Sequence, residues 1–541
     1  MQLVTVPSGA QAHAFSEAAA ASISTRNDRV TRRSLLAGGL AAGVAASVSA
    51  PAKADPVPAS FNRAWLVAHA EALARAPYQA PKNDLPDRLQ NIDYDTYRTL
   101  RFRRDHALWN DQQLGFTAQF FHLGFLYRDP VSIYEVVDGK ATLIPYSPEM
   151  FDVNGEVLSG LNDPGLGFAG FRLHAPINRP DYYDEVAAFL GASYFRCVGR
   201  GQRYGKSARG IAINTAEPRG EEFPRFSSFW LERPALANAR KITVHALLEG
   251  ESITGAYTFT ISTGVNTVVD VDAEIFSRGS IGVLGLAPLT SMFFFGENDR
   301  GNVDDFRPEV HDSDGLQLWT GAGEWIWRPV TNPAKLRISM MYDNNPRGFG
   351  LIQRDRAFAD YQDLEARYDL RPSVWVEPKG KWGDGAIKLV EIPTGDETND
   401  NIVVFWAPRD SMAANARMSL GYRLYWCDRP PVGPETAQVV ATRAGRAGYP
   451  GQKIDKKSRK FVVEFSGGML ANLNAADAVE AIVSASKGRT KPPVVEPMPD
   501  AGTWRAVFDV TADGADPVEL RCFLRIGETA LTETWSYQWT A

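Results

Sequence analysis

Period-two alternation constrains this chain most. Lys241-Ile-Thr-Val-His-Ala, Tyr257-Thr-Phe-Thr-Ile261 and Val269-Asp-Val-Asp-Ala-Glu-Ile275 each interleave apolar and polar residues, as strands with one wet and one buried face do. In the last, Asp270, Asp272 and Glu274 fall on the wet face, which makes them surface acids rather than metal ligands. An amphipathic helix is expected over Phe61–Ala76, and short helices over Asp184–Leu190 and Gln362–Arg367. No regular βαβ alternation is evident. The fold class is therefore mainly β and largely antiparallel.

At 541 residues the chain exceeds one typical core. Asp428-Arg-Pro-Pro-Val-Gly-Pro-Glu435 carries three prolines and a glycine, which interrupt continuous strand pairing, so a linker is expected at 429–434. It divides a large domain, 55–428, from a small one, 435–541, whose strands at Phe461–Phe465, Trp504–Val510, Val518–Ile526 and Thr534–Trp539 have immunoglobulin-like spacing.

The N-terminus holds Thr31-Arg-Arg-Ser-Leu-Leu36, a weakly apolar run to Ala50, and Ala52-Lys-Ala54. These are the parts of a twin-arginine export signal over residues 1–54, with a small-residue cleavage site and no membrane span. Its removal takes five basic and two acidic residues, moving the net charge from −6 to −9. An acidic exported chain is a poor match for nucleic acid, and a neutral ligand suits it better. Three cysteines in so long a chain do not make a disulfide framework. One bridge is open to them, and buried free thiols are the simpler state.

Several catalytic signatures are missing. Gly199-Arg-Gly-Gln-Arg-Tyr-Gly-Lys-Ser207 resembles a phosphate loop with its first glycine misplaced, and its Arg200, Arg203 and Tyr204, with Arg209 beyond it, would suit a polar cleft instead. There is no nucleophile elbow and no zinc-binding His-Glu-x-x-His. His311-Asp-Ser-Asp-Gly315 starts like a calcium loop, but its glycine comes too early and the closing glutamate is absent. No metal or cofactor is expected.

Carboxylates and aromatics remain. The turn Thr394-Gly-Asp-Glu-Thr-Asn-Asp400 packs Asp396, Glu397 and Asp400 between two strand-like segments. Mutual repulsion beside an aromatic wall would keep one of them protonated near neutral pH, as a general acid requires, whereas a solvated hairpin tip would need only their turn-forming habit. Asp312 sits in another turn-rich segment, soon followed by Trp325 and Trp327, whose indoles are candidate platforms for sugar rings or else plain sheet packing.

In order, the chain carries Leu190-Gly-Ala-Ser-Tyr-Phe-Arg196, Ser207-Ala-Arg-Gly210, Gly220-Glu-Glu-Phe-Pro-Arg-Phe226, Ala287-Pro-Leu-Thr-Ser-Met-Phe293, His311-Asp-Ser-Asp-Gly315, Gly323-Glu-Trp-Ile-Trp-Arg-Pro329, Tyr368-Asp-Leu-Arg-Pro-Ser373, Thr398-Asn-Asp-Asn-Ile-Val403 and Glu533-Thr-Trp-Ser-Tyr537. In these motifs it resembles the periplasmic glucan biosynthesis proteins G and D, with a D-type leader. The resemblance implies a large mutarotase-like antiparallel β-sandwich followed by a small immunoglobulin-like one. It also implies a periplasmic enzyme of osmoregulated glucan biosynthesis that acts on β-1,2-glucan with inversion. Asp400 would be the general acid and Asp312 the general base, with Tyr368, Arg371, Trp325 and Trp327 as substrate-binding candidates. A cyclising transglycosylase using the same acid, or a non-catalytic glucan-binding scaffold for a membrane glucan synthase, stands as the alternative.

Overall fold

The computed structural model describes residues 60–81, 85–152, 157–158, 160–448, 451, 455, 457–499 and 502–541. The expected export signal, 1–54, lies outside them. The protein is mainly β, built from sheets whose strands pair mostly antiparallel. Among the described residues no helix is long and apolar enough to cross a membrane.

A ten-stranded sheet runs from the edge strand Thr117–Phe121 through Gly170–Arg179, Tyr182–Leu190, Tyr194–Cys197, Ser207–Arg209, Leu284–Ser291, Ile402–Pro408 and Asp384–Glu391 to Arg337–Asn344. Facing it is a fifteen-stranded sheet, whose centre includes Arg417–Cys427, Thr267–Ser277, Ile253–Ser262 and Lys241–Glu249. Between them lies an aromatic core in which Phe189 meets Phe171, Phe195, Phe229 and Phe259 at centroid separations of 4.9–5.6 Å.

Residues 241–249, 253–262 and 267–277 pair in register as the alternation requires. The acids of the last share one face, but they are not simply wet. Asp270 pairs with Arg423 at 2.8 Å and Lys379 at 2.9 Å, while Glu274 is buried and accepts hydrogen bonds from Arg417 and Ser419.

Among the described residues the first helix spans Arg63–Arg75, capped by Asn62, whose Oδ1 accepts from the Trp65 amide at 2.9 Å. Its buried Leu66, Ala70 and Ala74 pack toward Trp230 and Tyr134 on the outer face of the long sheet. Two helix expectations fail. Asp184–Leu190 belongs to the strand Tyr182–Leu190, a central strand whose buried Val186–Leu190 reads as an unbroken apolar run and so carries no strand period. The second helix lies earlier, at Phe358–Tyr361. Gln362 turns left-handed (φ 54°), and the Asp363 side chain accepts from the Glu365 and Ala366 amides, which makes 362–367 a polar turn.

Residues 429–434 connect Arg417–Cys427 to Gln438–Arg446. The C-terminal strands form a two-layer sandwich: Gln438–Arg446, Ser458–Ser466 and Thr503–Thr511 against Val518–Ile526 and Thr534–Trp539. Its second layer is continuous with the long sheet, because Thr534–Trp539 pairs in parallel with Trp325–Pro329. The joint is further held by Arg354, which bonds Glu533 at 2.6 Å and lies 3.6 Å from the Trp327 ring centroid. Cys197, Cys427 and Cys522 are free and buried, in line with the simpler sequence reading.

Candidate active site

Two loops at the ends of sheet strands bring Asp400 and Asp312 together. Asp400 ends the acidic turn just before Ile402–Pro408, and the buried Asn401 beside it is pinned three ways. Its Nδ2 donates to the carbonyls of Phe293 and Ile392, and its Oδ1 accepts from the Phe293 amide at 2.8 Å. Asp312 follows the short strand Val310–His311, with its amide donating to the Met292 carbonyl at 2.8 Å. Both turns are thus anchored to the same segment, 292–293.

The two carboxyls live in different surroundings. Asp312 is 2% exposed, and its Oδ1 accepts a 2.5 Å hydrogen bond from Arg371 Nη1, a charge-assisted pair. Asp400 keeps some solvent contact yet lies deep within protein. Burial above all, and then the negative charge of Asp312, push it up to about 7. Arg196 and Arg371 pull the other way, as does the nearby Thr290 hydroxyl, which has no hydrogen-bond partner of regular geometry.

The expected push from Asp396 and Glu397 is absent. Glu397 is ion-paired to Arg307 at 2.7 Å, which also holds Asp305 and Asp363, each at 2.8 Å. Asp396 folds back to accept from the Thr398 amide at 2.9 Å. The side chains of Asp396 and Glu397 are thus engaged within the turn and by Arg307, and the carboxylate that raises Asp400 is Asp312, from a distant part of the sequence.

Tyr368 and Arg371 come to the same place. Tyr368 is buried in the turn Tyr368–Leu370, its ring 4.1 Å from the Arg371 guanidinium carbon. Burial raises its phenol far above the usual range, so it stays neutral. Arg371 links the ring to Asp312.

Trp325 and Trp327 are not brought to this cleft. Trp325 stacks between Trp319 and Trp375, at 4.9 and 5.8 Å, and Trp327 is 3% exposed in the C-terminal core beneath Arg354. Two residues apart on one strand, they share a face, and that face packs against Trp319, Trp375 and the C-terminal core, with Trp325 half-buried.

Sequence reading missed Arg196 and Tyr194, although both lie in a quoted motif. Arg196 is buried, its guanidinium 5.4 Å from the Tyr204 ring centroid, and acts on Asp400. The Tyr194 phenol is pushed up to about 12, by burial first, with Asp400 among the contributing charges. Alternation along Tyr194–Cys197 is the only signal, and it does not say which face meets a site.

On the Asp400 side opens a cavity of about 1310 Å³. Asp400 and Asp312 do not themselves line it. Tyr194, Ile392 and Val403 do: Val403 follows Asp400 by three residues, the Ile392 amide donates to the Asn401 carbonyl, and Asp400 is among the charges acting on Tyr194, so the cavity adjoins the acid side of the site. Arg219, Glu221 and Phe223 add polar and aromatic wall suited to a neutral hydroxylated ligand.

A family model described as "Periplasmic glucan biosynthesis protein, MdoG" matches residues 61–539. The chain is 48% identical over 512 residues to Glucans biosynthesis protein G of Rhodopseudomonas palustris (strain ATCC BAA-98 / CGA009), covering 94% of this chain and all of that protein. It is 49% identical over 489 residues to Glucans biosynthesis protein D of Stenotrophomonas maltophilia (strain R551-3), covering 89% of this chain and 90% of that one. The family match spans the acid pair, its anchors and the C-terminal strands, and the chain belongs to the periplasmic glucan biosynthesis protein family.

Proposed function

We propose that this protein is a glycoside-acting enzyme that cleaves or remodels β-1,2-glucan with inversion at the anomeric carbon, Asp400 serving as general acid and Asp312 as general base. The observation that carries this reading is the asymmetry of the two carboxyls. Asp400, held up to about 7, carries a proton for much of the time near neutral pH, while Asp312 is paired to Arg371. Inverting cleavage needs one carboxyl to protonate the leaving oxygen and the other to activate water on the opposite face. Arg371 and Tyr368 orient Asp312, and Tyr194 and Arg196 border Asp400. The cavity takes the glucan chain.

The site of action is the periplasm, reached through the twin-arginine leader, and the supplier of nascent glucan is a membrane synthase. The test is incubation of the leaderless protein with linear β-1,2-glucan, products identified by mass, with Asp400→Asn in parallel. Shorter linear chains from the wild type alone support hydrolysis, and products one water lighter support cyclising transfer. Glucan bound but unchanged by the wild type overturns the enzymatic reading.

A further inference from the structure

The loop that resembles a phosphate site remains to be accounted for. Lys206, at the place of the phosphate-binding lysine, is 0% exposed, and its ammonium faces no open ligand space. Nζ donates to the carbonyl of Asp312 and, at 2.9 Å, to the carbonyl of Pro372. Those two carbonyls belong to different turns, one carrying Asp312 and the other Tyr368 and Arg371. The rest of the loop holds the second turn as well. The Arg203 amide donates to the Leu370 carbonyl at 3.0 Å, and the Arg203 guanidinium to the Glu365 carbonyl at 3.0 Å. A Cβ on Gly205 would come within 3.0 Å of the Arg371 side-chain carbons, so the backbone passes directly against that side chain.

A buried ammonium is costly, and a methionine would fill the same volume without that cost. Burial lowers the lysine to about 7. Asp312 and Asp314 oppose this, and the guanidinium groups of Arg356 and Arg371 add to it. What the amine supplies is several donors on one atom, so that two turns far apart in sequence are tied at a single point.

We propose that Lys206 is a positioning residue, a tie between the Asp312 turn and the 368–372 turn that sets the geometry of the Arg371–Asp312 pair. The lookalike loop is then a brace for the base side of the site and holds no phosphate. Its catalytic consequence rests on the proposed function, but the tie itself does not.

The experiment has two arms on the full mature protein with Lys206→Met. Amide hydrogen exchange at 310–314 and 368–372 is expected to quicken by about tenfold or more, the loss of a charge-assisted hydrogen bond, with the aromatic core unchanged. On β-1,2-glucan, kcat is expected to fall about tenfold to a hundredfold with KM within twofold. Unchanged exchange in both turns overturns the tie. Faster exchange with an unchanged kcat, or with kcat and KM changing together, overturns the positioning role. A wild type inert on glucan, whose turns nonetheless loosen in the variant, sinks the proposed function and leaves the tie standing. Should Lys206→Met fail to fold, Lys206→Gln decides: its shorter amide keeps a donor but cannot tie both the Asp312 and Pro372 carbonyls from one nitrogen as the ammonium does. A lowered kcat at unchanged melting temperature is expected, and full activity overturns the positioning role.

Discussion

Replacing Asp400 by Asn gives the most searching test of the acid, because it predicts a loss and a gain at once. A carboxyl whose folded value is about 7, against 3.8 ordinarily, binds its proton more tightly in the folded protein. The unfolded chain ionises near pH 4, while the folded one resists until about pH 7. Stability therefore falls as pH rises through that window, and the full cost is present above it. Three pH units correspond to about 4 kcal/mol, and since Asp400 keeps some solvent contact we take roughly half, about 2 kcal/mol. Asn has the same shape and no charge to bury. Asp400→Asn is thus expected to be more stable than wild type by about 2 kcal/mol at pH 8 and equal to it at pH 4, by denaturant unfolding at each pH. Turnover of β-1,2-glucan should fall by about 10² to 10⁴, the usual contribution of general acid catalysis. A stability difference that is the same at pH 4 and pH 8 would refute the argument that burial and Asp312 hold this carboxyl protonated.

Three further outcomes follow from the packing. Trp327→Ala should cost about 3–5 kcal/mol of stability by opening the joint beneath Arg354, with glucan affinity of the folded fraction unchanged by calorimetry. A chain ending at residue 428 should be insoluble or unfold well below wild type, since Trp327, Ile352 and Trp375 pack in the C-terminal core; circular dichroism melting reads this. Cys197, Cys427 and Cys522 should resist alkylation in the native protein and react only with denaturant, and reductant should leave the melting temperature unchanged.

The strands were legible where one face is wet and one dry, as at 241–277, because alternation survives in the sequence. Tyr182–Leu190 was not, because a strand buried on both faces loses its period and looks like any apolar run. At the site, the acidic turn drew attention to Asp400 for the wrong physical reason. Its local acids are engaged by Arg307 and a turn hydrogen bond, and the charge that raises it comes from Asp312, 88 positions away. Such proximity is a property of topology. Lys206 was similarly opaque, since its role is defined by two backbone carbonyls that no motif encodes.

The parallel pairing of Trp325–Pro329 with Thr534–Trp539 bears on the order in which this protein can be made. A strand near the middle of the chain waits for a partner that is among the last residues to leave the ribosome. Until then its edge is open, flanked by tryptophans with nothing to cover them, a template for pairing with the wrong chain. The fold therefore closes late and all together.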